Sequence, residues 1–202
     1  MARVKIPASV VKNLKRQAQE TVQYKKAAEN LSREVFETAK KDFFEEFESH
    51  PITREIESGA NATNISGTLN GYGNLFSFIG FNSTQQPISE LRSMLKSMMR
   101  LSKIKIRKGA KNAISFDVSI PEMKIINSVT PMPWESGRSW VRGIERGISG
   151  FGYYMSTQNR RFSRSGTAIQ SDSRIRAGSY IPRKYMSEMI RNLDKNLRRL
   201  IK

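Results

Sequence analysis

The stretch HPITREIESGANATNISGTLNGYGNLFSFIGF, residues 50–81, decides how the chain is read, because it sets a polar, glycine-rich loop against an apolar aromatic run. Pro51 lacks an amide donor and clashes with a preceding helical turn, so His50-Pro51 predicts the end of whatever helix comes before it. Gly59, Gly67, Gly71 and Gly73 give the loop freedom for tight turns or close approach to another backbone. Leu75, Phe76, Phe78, Ile79 and Phe81 form a run too short for a bilayer and too aromatic for a linker, which reads as a largely buried strand. Two readings stay open for it. It is a core strand entered through an ordinary loop, or a subunit contact with Phe76, Phe78 and Phe81 as anchors and Gly71 and Gly73 against the next copy.

Upstream, Val11, Leu14, Ala18 and Val22, then Ala28, Leu31, Val35, Ala39, Phe43 and Phe47, step by three and four and predict helix from Ser9 to Ser49. The stripe skips between Val22 and Ala28, so a bend or break is expected around Tyr24 to Lys26. Some forty residues at 1.5 Å each span roughly 60 Å, more than one edge of a domain this size can cover. Either part of the helix projects onto another subunit or two helices pack as a hairpin.

Downstream, Ser89 is placed to cap a helix running through Leu101, with Leu91, Met94, Leu95, Met98 and Leu101 on one face. Ile104 and Ile106 alternate with lysines, and Ile114, Phe116, Val118 and Ile120 alternate again, which predicts a hairpin with one wet, basic face. Met123 to Val129, among Pro121, Pro131 and Pro133, reads as a short strand or an irregular connector. Trp134 to Met155 reads as a helix in which Gly143, Gly147 and Gly150 interleave with Trp140, Val141 and Ile144, so Trp134 and Trp140 are further interface candidates. Residues 156–180 are polar, arginine-rich and poor in large aliphatics, as in a long loop or arm. From Arg183 onwards, Tyr185, Met186, Met189, Ile190, Leu193 and Leu197 mark a basic amphipathic helix. The expected fold is α+β: a long N-terminal helical arm (1–50), a body with a small, mainly antiparallel sheet and packed helices (51–155), an extended arginine-rich arm (156–182) and a C-terminal amphipathic helix (183–202).

The chain carries a formal charge of +17, unevenly spread. Residues 1–28 hold a net +6, residues 29–58 a net −5, residues 59–137 a net +5 and residues 138–202 a net +11. An acidic island between basic flanks lets a chain pair with its own copies or with a charged neighbour. Mean hydropathy of −0.54 is low for a compact enzyme, while ten phenylalanines, six tyrosines and two tryptophans argue against wholesale disorder, so an extended or oligomeric protein is expected. No apolar run reaches the length of a membrane span, and MARVKIPASVVKNLKRQ lacks the apolar core of a secretory signal, so an intracellular setting is expected.

Chemistry is thinly provided. With no cysteine and only His50, disulfides, thiolate sites and most general-base options fall away, and neither a metal nor any other cofactor is expected. Asp42, Glu45, Glu46 and Glu48 lie on one helix beside Lys40 and Lys41, where a solvated face explains them. Asp117, Glu122 and Glu135 come from separated segments, as a two-metal nuclease needs, but without a recognisable spacing. SGTLNGYG lacks the lysine and hydroxyl that follow a phosphate-binding loop. Two basic clusters remain as electrostatic contacts: one from Lys96 to Lys111, the other Arg160, Arg161, Arg164, Arg174 and Arg176, near Tyr153, Tyr154 and Phe162. They suit nucleic acid or acidic protein.

The order of parts is a long N-terminal helix, HPITREIESG (50–59), ISGTLNGYGNLFSFIGF (65–81), IKIRKGAKNAISFDVSI (104–120), WESGRSWVRGIERGISGFGYY (134–154) and SRSGTAIQ (163–170). This order resembles small virion proteins of tailed bacteriophages, of the neck, head-tail joining and tail-completion class. The resemblance implies a non-catalytic homo-oligomeric ring, six- or twelve-fold, between portal, connector and tail proteins. DNA would pass through it, with non-specific DNA contact at most. It also implies a place in the virion, assembled in the host cytoplasm. The rival expectation is a basic nucleic-acid-binding protein, ribosome-associated or DNA-packaging.

Overall fold

The computed structural model describes residues 8–69, 73–106, 114–133, 135–147, 153–156, 169–174 and 180–200. The fold is α+β: packed helices carry three separate two-stranded antiparallel ribbons.

The N-terminal helical region is two helices, α1 (Ala8–Glu20) and α2 (Val22–Ser49). The break falls at Thr21, three residues before the expected interval. Thr21 takes an extended backbone (φ −68°, ψ 146°), and its hydroxyl oxygen accepts from Tyr24 N, so a local cap restarts the helix. On α2, Ala28, Ser32, Phe36, Ala39, Phe43 and Phe47 are buried. Leu31 is exposed, and the buried stripe continues into the core beyond residue 50.

His50 ends α2 and starts α3 (Pro51–Glu57), as the His-Pro pair predicts. Its extended backbone turns the chain, Pro51 occupies the first helical turn, and Nδ1 accepts from Ile52 N at 3.2 Å. The loop after α3 is anchored by Glu55, which is fully buried: Oε2 accepts from Ser66 N at 2.8 Å and Oε1 from Leu75 N at 2.7 Å. One carboxylate thus closes both ends of the loop on α3.

The aromatic run is a helix, not the expected strand: α4 (Leu75–Ile79). Asn74 caps it by accepting from Ser77 N, and Gly80, at φ +86°, ends it in the left-handed region. Phe81 N then donates to Phe76 O and Gly80 N to Ser77 O, with the Phe76 and Phe81 rings 5.4 Å apart. This is a Schellman closure with its hydrophobic contact. Five apolar residues cannot distinguish a buried strand from one helical turn by periodicity.

Helix α5 (Pro87–Met98) starts at Pro87, two residues before Ser89, and hands over at Met99 to β1 (Arg100–Ile106). The expected hairpin forms with β2 (Ile114–Ser119), pairing Leu101 with Val118 and Ile104 with Phe116. A bulge between Leu101 and Lys103 lets Leu101 and Ile104, of opposite parity, both turn inward.

Residues 123–129 are neither strand nor irregular: α6 (Met123–Ser128) fits between the prolines. The region read as one helix from Trp134 is likewise divided. It contains β4 (Glu135–Ser139), which pairs with β3 (Pro131–Met132), then α7 (Trp140–Arg146), then β5 (Tyr153–Ser156). Ser139 starts α7 by accepting from Arg142 N, and Gly147, at φ +78°, stops it. Part of the expected arm is also structured, because β6 (Ile169–Arg174) pairs with β5. The C-terminal amphipathic helix is present as α8 (Met186–Leu200) and packs along α2.

Tyr185 joins these layers. Its ring lies 6.4 Å from Phe47, 4.9 Å from His50 and 6.4 Å from Trp140, and Trp140 meets Phe81 edge-on at 5.9 Å. Its buried hydroxyl shares a 2.8 Å hydrogen bond with Thr53 Oγ1. Glu145 Oε1 accepts from Tyr185 N and Ser187 N, so α7 caps the start of α8. Burial pushes the Tyr185 and Tyr180 phenols well above their ordinary range.

Two outcomes follow. Glu55→Ala strands two amides and should lower the free energy of urea unfolding by about 3 kcal/mol, with Glu55→Gln losing about half that. A loss under about 1 kcal/mol for Glu55→Ala would mean water replaces the carboxylate. Burial lowers the His50 pKa, with Glu188 pulling the other way. The unfolded chain therefore takes up a proton near pH 6.5 while the folded chain waits for a lower pH. The stability from neutral His50 is complete above about pH 6.5 and falls as pH drops through that window. Between pH 7.5 and 5, thermal denaturation should show a larger fall in Tm for the native chain than for His50→Asn, whose oxygen caps Ile52 without titrating.

Candidate interaction surfaces

The aromatic interface candidates are interior. Phe76, Phe78, Phe81 and Trp140 are all at most 3% exposed, so they hold this chain together and present nothing to a partner. Gly73 is exposed in a left-handed turn (φ +68°). Gly71, Trp134, Arg160, Arg161, Arg164 and Arg176 lie outside the described residues, and Arg174 is placed in β6 opposite Tyr153.

The acidic island is partly consumed within the fold. Glu55 serves the loop, and Glu46 accepts from Asn192. Arg92 makes a bidentate pair with Glu48, at 2.6 and 2.7 Å, and reaches Glu57 at 2.6 Å while lying over the Phe47 ring. Its guanidinium holds the Glu48 carboxyl below the usual range. The exposed acids that remain toward the start of α2 are Glu29, Glu34 and Glu37.

Beside them is an uncovered apolar surface. Val10, Val11 and Leu14 on α1 and Val22 and Leu31 on α2 are 39–67% exposed, and among the described residues the one substantial packing contact of α1 is with α2. Helix α1 also exposes Lys12 and Arg16. A basic, amphipathic helix with a bare apolar face therefore adjoins an acidic helix segment that also exposes apolar side chains.

A second surface emerges from elements that are unremarkable singly. Helix α6, strand β4 and helix α7 enclose an open cleft of about 730 Å³ lined by Lys124, Arg138, Arg142 and Arg146. Arg142 and Arg146, four apart on α7, share a face; Lys124 comes from α6 and Arg138 from β4. The floor is fixed by Ser139, whose hydroxyl lies 2.7 Å from Thr130 Oγ1 and 3.2 Å from Asn127 Oδ1 while capping α7. Thr130 in turn donates to Ile126 O and accepts from Trp140 N, tying α6 to α7. None of the described lining residues is acidic. The charge counts of the sequence singled out Lys96 to Lys111 and Arg160 to Arg176 and passed over this site. Its one local signal is the Arg142/Arg146 spacing.

Of the nuclease candidates, Asp117 pairs with Lys105 at 2.8 Å on the exposed hairpin face, which lowers its pKa, and Glu122 is exposed ahead of α6. Among the described residues, no group of three or more acidic or histidine side chains is arranged to hold a metal ion. No described helix is long and apolar enough to cross a membrane. Comparison with family models, with curated proteins and with solved structures finds no match for this chain.

Proposed function

We propose that the chain is a structural subunit of a tailed-phage virion, assembling with its own copies into a ring at the head-tail interface, as a neck, connector or tail-completion protein without catalysis. The observation that carries this reading is the unpartnered face of α1, where Val10, Val11 and Leu14 stand exposed beside Lys12 and Arg16. Apolar side chains in such a row lose free energy in water that a neighbouring chain restores. The surface that suits them belongs to the same protein: the start of α2, with exposed Val22 and Leu31 and the acids Glu29, Glu34 and Glu37. Basic α1 of one copy laid on acidic α2 of the next is a heterologous contact, and repetition of such a contact closes a ring. The buried aromatics fit this division, because the body is held by its own core while α1 is left for assembly.

The assembly surface is tested by size-exclusion chromatography with light scattering at about 0.5 M salt, where non-specific phosphate binding is screened. The expected result is a large, defined oligomer that dissociates in Leu14→Glu, a substitution at an exposed position that leaves the monomer folded by circular dichroism. A native chain that stays monomeric at every concentration and binds DNA with steep salt dependence would instead support the rival reading, a basic nucleic-acid-binding protein.

A further inference from the structure

The cleft between α6, β4 and α7 is not used by the assembly contact, and its composition calls for a ligand of its own. Some cations on the described surface are matched by carboxylates: Arg92 by Glu48 and Glu57, Lys105 by Asp117, Arg191 by Glu188 and Arg198 by Asp194. In the cleft, Lys124, Arg142 and Arg146 have no carboxylate partner among the described residues. Like charges four apart on a helix repel, and α7 has only seven residues over which to offset that cost. Lys124, Arg142 and Arg146, brought to one cleft without a carboxylate, are stabilised by an anion.

We propose that this cleft binds the phosphodiester backbone of nucleic acid, without regard to sequence. Three of its four cations are arginines, whose planar forks match phosphate oxygens two at a time. Its described lining contains no aromatic side chain, so the described residues offer contacts to phosphate and none for stacking a base. Protein partners are held by aromatic anchors in dry pockets, and no aromatic side chain is among the described lining residues, whereas a backbone of repeating phosphates needs none. Contacts of this kind position without specifying, and they permit sliding, which is compatible with DNA moving past the subunit.

The test is fluorescence anisotropy of labelled DNA duplexes with the full chain between about 50 and 300 mM salt. Each phosphate contact contributes about 0.9 to the slope of log K against log salt. Arg142→Gln with Arg146→Gln should lower the magnitude of that slope by about 2, and Lys124→Gln by about 1, with duplexes of unrelated sequence behaving alike. Lys195→Gln with Arg199→Gln removes the same charge from the exposed face of α8 and should leave the slope unchanged. Equal loss in both double variants, or no binding by the native chain, would overturn the proposal, since affinity would then be diffuse or absent. Polyglutamate of matched charge binding as tightly as DNA, with the same loss in the cleft variants, would overturn it in favour of an acidic protein partner. All positions except the floor are exposed, so unchanged circular dichroism is the expected control, and Lys124 on α6 tests the site independently of α7.

Discussion

The fold depends on one buried tyrosine. Tyr185 lies ahead of the last helix, yet its ring touches the end of α2 at Phe47 and His50, and Trp140 at the start of α7. Its hydroxyl is bound to α3 through Thr53, and its amide is held by Glu145. A buried phenol is tolerated only when its oxygen has a partner, and a helix start in the interior only when its amides have acceptors. Both requirements are met here by residues distant in sequence. Docking α8 therefore joins α2, α3 and α7, while the one substantial contact of α1 among the described residues is with α2.

That division gives the chain two kinds of surface with different tasks. The apolar face of α1 and the start of α2 favours burial against another chain, and its charges are complementary in the same molecule. The described lining of the α6, β4 and α7 cleft carries four cations and no acidic side chain. The first suits an assembling subunit, and the second suits a polyanion passing it. The interior aromatics contribute to neither directly, but by satisfying the core within one chain they leave both surfaces exposed.

Much of this was legible where periodicity is long. The stripe of α8, the alternation of the β1 and β2 hairpin, and Ala28, Ala39, Phe43 and Phe47 on α2 follow from spacing, whereas Ser32 and Phe36 are buried where Leu31 and Val35 were expected. Short elements were not. Leu75 to Ile79 is five residues, four of them apolar, and what makes it a helix is the Asn74 cap and the left-handed Gly80, signals outside the run itself. The Trp134 to Met155 segment looked continuous because Gly147 read as a packing glycine, when its positive φ marks the end of α7. Glu55 and Glu145 were invisible for a different reason. Their partners are backbone amides up to 42 residues away, and no side-chain pattern records them. The cleft needed three elements brought together, so its cations were dispersed in sequence.

The central claim is that the body is complete within one chain while α1 is kept for a partner, and hydrogen–deuterium exchange as a function of protein concentration tests it most directly. The account predicts that amides of Phe36 to Phe47 are protected at every concentration, while those of Val10 to Ala18 exchange freely in dilute protein and become protected as the chain assembles. Protection of α1 at the lowest concentration, or protection of Phe36 to Phe47 only on assembly, would contradict it.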